Sequence, residues 1–107
     1  MQEYEVRRGH QENIAPDRLR AIMQEVFGNV QERDGKFFSS FGALKELHAW
    51  PCKKNALCVE TRSDPSVSDE VAQQTIKAYN EFLERTTGFT AKERSRRLQK
   101  KAKEGKL

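Results

Sequence analysis

A chain of 107 residues holds one domain with one modest hydrophobic core, and a charged fraction of 34% indicates that part of it lies outside that core. The net charge of +4 arises at the C-terminal end of the chain. Residues 89–107 contain eight basic and two acidic residues, whereas residues 1–88 contain twelve basic and fourteen acidic ones. No apolar stretch approaches the ~20 residues that cross a bilayer, and the first residues lack the pattern of a secretory signal. We therefore expect a cytoplasmic protein without a membrane partner.

The first two predicted elements are a strand and a helix. Tyr4 and Val6 alternate with charged residues, as in a half-buried strand. Pro16 suits the first turn of a helix, and the apolar residues that follow it recur with helical spacing. Gly28 stands where the end of that helix favours a positive φ.

A hairpin follows the helix. Asp34-Gly35 favours a type I′ turn, which requires a positive φ at both central residues. With that turn Glu32 faces Phe37, and Phe38 lies on the opposite face of the sheet from Phe37.

Two further strands are predicted before the second helix. Residues 44–50 alternate so that Leu47 lies on one face and Trp50 on the other. Pro51 cannot donate a ladder hydrogen bond, so this strand is expected to end there or to lie at an edge. Residues 56–61 return after a turn, with alternate residues directed inward.

The remaining chain predicts two helices. Ser66, with acidic residues in the following turn, is interpreted as the start of an amphipathic helix that Gly88 closes. Thr90 and Glu93 form a capping box for a last helix over residues 91–103. That helix is strongly basic and has a single large apolar residue, so it is expected to be a detached, weakly docked extension.

The element order β-α-β-β-β-β-α predicts an α+β two-layer sandwich: an antiparallel sheet of about five strands with two helices on one face. Residues 1–88 form the single domain, and residues 89–107 form the basic helical extension.

Catalytic and metal chemistry find little support in the sequence. His48 and Cys52 are close in the chain, but no nucleophile–base arrangement can be identified from the spacing. Cys52 and Cys58 form neither a disulfide framework nor a paired zinc motif, and they are interpreted as small apolar residues. We expect no enzyme, no cofactor and no metal site.

Two surfaces are candidates for binding. The basic helix could hold RNA or DNA without sequence choice, or it could be a solubilising tail. The open sheet face could contact a protein partner or a second copy through Phe38 and Trp50, unless one of them packs under the C-terminal segment. The predicted nucleic-acid contacts are Arg94, Arg96, Arg97, Lys100, Lys101 and Lys103.

Five short stretches are distributed over nearly the whole chain: residues 3–10, 41–45, 59–61, 67–71 and 87–94. Together they resemble a small archaeal family of uncharacterised proteins, known as a domain of unknown function. The resemblance implies a two-layer α/β sandwich in an archaeal cytosol. It implies no activity, cofactor or binding residue.

Overall fold

The computed structural model describes residues 2–103, and the side chains of residues 2–97. The helices and strands follow the predicted order, with one added turn of 3-10 helix at Gln11–Ile14. The strands are β1 (Gln2–Glu5), β2 (Gln31–Arg33), β3 (Lys36–Phe41), β4 (Leu44–Lys53) and β5 (Ala56–Ser63). The helices are α1 (Pro16–Phe27), α2 (Asp69–Thr87) and α3 (Ala91–Lys103).

The five strands form one antiparallel sheet in the order β1-β5-β4-β3-β2. Helices α1 and α2 cover one face, where Leu19 and Met23 of α1 and Phe82 of α2 pack against Leu47 and Leu57 of the sheet. The predicted α+β fold is therefore confirmed. Among residues 2–103, none of the helices combines the length and the apolar character needed to cross a bilayer.

The β2–β3 turn sets the register of the sheet. Asp34 and Gly35 have φ of 51° and 78°, as a type I′ turn requires, and Glu32 pairs with Phe37. Phe37 is 1% exposed on the helix-covered face, and Phe38 points the other way. The turn prediction is confirmed.

Of the two alternatives for Pro51, the end of the strand is wrong, and a position at an edge is confirmed locally. β4 continues to Lys53, and Pro51 pairs with Leu57 of β5. Pairing of β4 with β3 reaches only Ala49, so Pro51 has a neighbouring strand on one side. A proline is tolerated there because the missing N–H can face the flank that has no partner strand.

The interpretation of the two cysteines as unpaired apolar residues is also wrong, since Cys52 and Cys58 form a disulfide. The register of β4 against β5 shifts between Pro51 and Lys53, so Cys52 is the extra residue of a bulge. The bulge holds the two Cα atoms 5.7 Å apart, within the usual range for a disulfide. The bond joins the two strands of the hairpin near its tip.

Breaking this bond is expected to destabilise the fold. The cysteines are six positions apart, and closing a loop of that size lowers the entropy of the unfolded chain by the equivalent of about 2 kcal/mol. Urea unfolding followed by circular dichroism, with and without a dithiol reductant, measures the loss. The double variant Cys52→Ala/Cys58→Ala is the control and should not respond to reductant. Identical midpoints for the wild-type protein in both conditions would contradict a closed bond.

Candidate functional site

The face of the sheet opposite α1 and α2 carries a group of rings that we call the aromatic cluster: Phe38, His48 and Trp50. Phe38 and His48 are direct cross-strand partners, with ring centroids 4.3 Å apart. Trp50 follows on the same face of β4, two residues after His48, because side chains alternate along a strand. All three are half-buried, and the His48 side chain keeps 26% of its surface exposed.

Two cations lie over the rings of this cluster. The Lys36 Nζ atom is 4.4 Å from the centroid of the Trp50 ring, and the guanidinium carbon of Arg33 is 5.9 Å from that of Phe38. Arg33 and Lys36 are paired across the β2–β3 turn, and both are exposed. Such contacts contribute about 0.5–1 kcal/mol at exposed sites. The open face therefore combines aromatic rings with exposed positive charge.

Acidic residues border the other side of the cluster. The His48 Nε2 atom is 3.5 Å from a carboxylate oxygen of Glu46, and a depression of about 280 Å³ runs from these residues to Glu60 and Arg62. Within the part of the chain that the structure describes, no three histidine, cysteine or acidic side chains are grouped as metal ligands. The charge of the face is mixed, with Arg33 and Lys36 on the β2–β3 side and Arg62 among the acidic residues on the other.

Arg94 of α3 is directed at the body of the domain. Its Nη1 atom donates to the carbonyl oxygen of Phe89 at 2.8 Å, and its Nη2 atom donates to Oδ1 of Asn80 on α2 at 3.1 Å. The residue is half-buried, and burial lowers the pKa of its guanidinium. Arg94 thus attaches α3 to α2.

Phe89 is the second attachment of α3. It is 8% exposed, and its ring lies between the guanidinium groups of Arg7 and Arg97, whose carbons are 4.8 and 4.5 Å from the ring centroid. Arg7 also pairs with Glu93, and Arg97 with Glu5 of β1. Arginine–aromatic contacts and ion pairs therefore hold the first half of α3 beside the C-terminal end of β1.

The structure separates the predicted site residues into two groups. Phe38 and Trp50 share the open sheet face. Of the basic residues on the last helix, Arg94 and Arg97 bind groups of the domain, whereas Arg96 is exposed. The side chains of Lys100, Lys101 and Lys103 lie outside the described residues.

Sequence reasoning missed the cations of the open face and the contact of His48 with Phe38, whose rings are tilted by 57°. Arg33, Lys36 and His48 are placed there by the same alternation that places Phe38. The signal was present, since the turn at Asp34-Gly35 fixes which residues of β2 and β3 share a face.

These observations define a class of protein: a two-layer α+β domain whose sheet is open on one face and bordered by a third helix at its edge strand. The family model for a domain of unknown function (DUF5611) matches residues 1–100, so the chain belongs to that family. The predicted membership of an uncharacterised family is confirmed.

One solved structure agrees with this assignment. The chain is similar to the hypothetical protein TA0095 from the archaeon Thermoplasma acidophilum, solved by NMR, with 26% sequence identity and a TM-score of 0.65. The similarity covers 92% of this chain and 97% of that one. No curated protein matches the chain. The comparisons establish family and fold, and they carry no ligand or activity.

Acidification is expected to weaken the docking of α3 at Glu93. Its carboxylate accepts from the backbone N–H of Thr90 at 3.0 Å, and this bond, reinforced by the charge of Arg7, lowers the pKa of Glu93 below its ordinary value of 4.5. Because the folded pKa is the depressed one, the stabilisation is complete above the ordinary range and is lost as the pH falls through the folded pKa.

An NMR titration from neutral to acidic pH checks this expectation at the Thr90 amide. Its chemical shift should follow the protonation of Glu93, and the shift should lose that dependence in Glu93→Gln. A Thr90 amide that titrates identically in both proteins would exclude Glu93 as the group responsible.

Proposed function

We propose that this protein is a non-catalytic module that binds single-stranded nucleic acid on the open face of its sheet. The observation that carries the proposal is the aromatic cluster of Phe38, His48 and Trp50 with Arg33 and Lys36 over its rings. Proteins that bind single strands combine exposed rings, on which bases stack, with cations that follow the phosphates.

The cluster suits that chemistry because its cations are held by flexible side chains. Lys36 and Arg33 lie on the rings in the free protein, and each can move to a phosphate when a base takes its place on the ring. Stacking of a base on an aromatic side chain contributes about 1–3 kcal/mol and needs no particular base. Binding with little sequence choice is therefore expected.

The basic helix is assigned a supporting part. Residues 89–107 contain eight basic residues, and positive charge of this density attracts any phosphate backbone. Arg96 is exposed and is proposed to contact phosphate. Arg94 and Arg97 already bind Asn80 and Glu5, so we propose that they position the helix.

The proposal also places the protein in the cytoplasm, where single-stranded nucleic acid is present. Disulfides are uncommon in that compartment except in hyperthermophiles. The thiol state of Cys52 and Cys58 in cells is therefore an independent check on location.

Trp50 is the only tryptophan, so the proposed site has its own fluorescent reporter. Titration with an unlabelled oligothymidylate or oligouridylate should quench its emission and saturate. Affinity should fall with salt, with a log–log slope of about −0.7 for each phosphate that is neutralised. Phe38→Ala should weaken binding by about 5- to 150-fold, the equivalent of one stacked base.

Matched variants locate the contact. Lys36→Gln tests the cation of the cluster and Arg96→Gln tests the helix, while Ile76→Ala changes an exposed apolar side chain of α2 and should have no effect. An unchanged Trp50 signal at low salt would refute the proposal. Concentration-dependent mass in light scattering that disappears in Trp50→Ala, without oligonucleotide binding, would assign the face to self-association instead.

A further inference from the structure

A groove of about 510 Å³ separates the outer edge of β1 from α3, and no residue of the aromatic cluster lines it. Ligand sites commonly have volumes of about 300–1,000 Å³. Four consecutive residues of β1 line the groove, and successive side chains of a strand point to opposite faces. A groove that touches all four must therefore run along the edge of the sheet. The lining residues are Gln2, Glu3, Tyr4, Glu5, Phe89, Arg94, Ser95 and Arg97.

The main chain of β1 offers hydrogen-bonding groups to this groove. The backbone N–H of Val6 donates to Asn55 beside β5, whereas that of Arg7 donates to Thr87 on the opposite side. Backbone groups alternate in direction along a strand, so Glu3 shares the direction of Arg7. The N–H and C=O of Glu3 thus face the groove and lie outside the ladder with β5.

The groove also contains a cation, Arg94, that forms no ion pair with any described residue. Arg97 pairs with Glu5, and Glu3 pairs with Lys53 at 3.0 Å. Arg94 donates only to an amide oxygen and a carbonyl oxygen, and no described carboxylate lies within 4 Å of it. Burial lowers the pKa of its guanidinium, and the carboxylate of Glu84, which lies beyond ion-pair distance, acts in the opposite direction.

Arg94 lines the groove together with Tyr4, an interior residue of β1. The Tyr4 hydroxyl is 3.0 Å from that of Tyr79 on α2. Together with Phe89, Tyr4 gives the groove an aromatic wall. An extended segment passing along β1 would present a side chain, and not its terminus, to Arg94.

We propose that this groove binds an extended peptide segment that adds to β1 as a sixth strand and places an acidic side chain at Arg94. Addition of a strand to an exposed sheet edge is a recurrent mode of peptide recognition, in which the main chain provides affinity and neighbouring pockets provide specificity. Here Glu3 provides the main-chain bonds, and Arg94 selects for a carboxylate. The partner is thus a protein or peptide with an acidic residue in a β-prone segment.

The test is a selection from a library of random heptapeptides, each flanked on both sides by constant sequence, with the full-length protein as the target. Enriched sequences should share an acidic residue among β-branched ones. Changing that residue to its amide should weaken binding by about 10-fold or more, as expected for a lost charged hydrogen bond. Amide signals of Gln2–Glu5 and Ser95 should shift on binding, and those of Phe38 and His48 should not.

Two matched pairs of variants test the two halves of the proposal. Glu3→Pro removes the N–H that faces the groove together with the carboxylate that pairs with Lys53, and Glu3→Gln removes the charge of that carboxylate while keeping the N–H. Arg94→Gln removes the proposed partner of the carboxylate, while Arg96→Gln removes an exposed charge of the same helix. Binding should be lost in the first member of each pair and retained in the second.

The following results would overturn the proposal in part or as a whole. Binding that survives Glu3→Pro would overturn strand addition and leave a pocket for an organic anion. Binding that survives Arg94→Gln, or enrichment of peptides without acidic residues, would overturn the assigned chemistry. If no peptide binds wild-type protein better than Glu3→Pro, the proposal is wrong whatever the aromatic cluster binds.

Discussion

The alternation of side chains across the β3–β4 pair is the constraint on which both stability and binding depend. The turn at Asp34-Gly35 fixes the register of β2 and β3, and the pairing of Phe37 with Ala49 extends it to β4. In this register Phe37 enters the core while Phe38 faces outward. A shift by one residue would bury the cluster that we assign to ligand and expose the core. The same turn therefore determines the fold and the character of the open face.

The body of the domain and helix α3 are held in place by different kinds of interaction. The body is held by buried apolar side chains between the sheet and helices α1 and α2, and that contribution depends little on salt or moderate changes of pH. Helix α3 is held by Phe89 between two guanidinium groups, by Arg94 and by ion pairs at Glu5 and Glu93. Those contacts are partly exposed and are weakened by screening. Solution conditions can therefore change the docking of α3 while the body stays folded.

Local sequence signals identified the elements well, because each depends on neighbouring residues. The turn at Asp34-Gly35 and the capping box of Thr90 are examples. The start of α2 was misplaced by two residues, since Ser66 binds Asp64 in the preceding turn and Ser68 is the N-cap. The disulfide could not be predicted, because it requires a bulge at Cys52 that no local pattern shows. The engagement of the arginines of α3 depends on partners distant in the chain, which periodicity cannot identify.

The contacts between β1 and α3 have a consequence for the order of events during biosynthesis. β1 pairs with residues 56–59, and Arg7 and Glu93 are 86 positions apart. On the ribosome, β1 therefore has no strand to pair with until more than half of the polypeptide has emerged. Helix α3, which borders the outer side of β1 across the groove, is added only when translation is nearly finished. Docking of α3 beside β1 is thus a late step. Nascent chains stalled before residue 89 would expose the outer edge of β1 to chaperones.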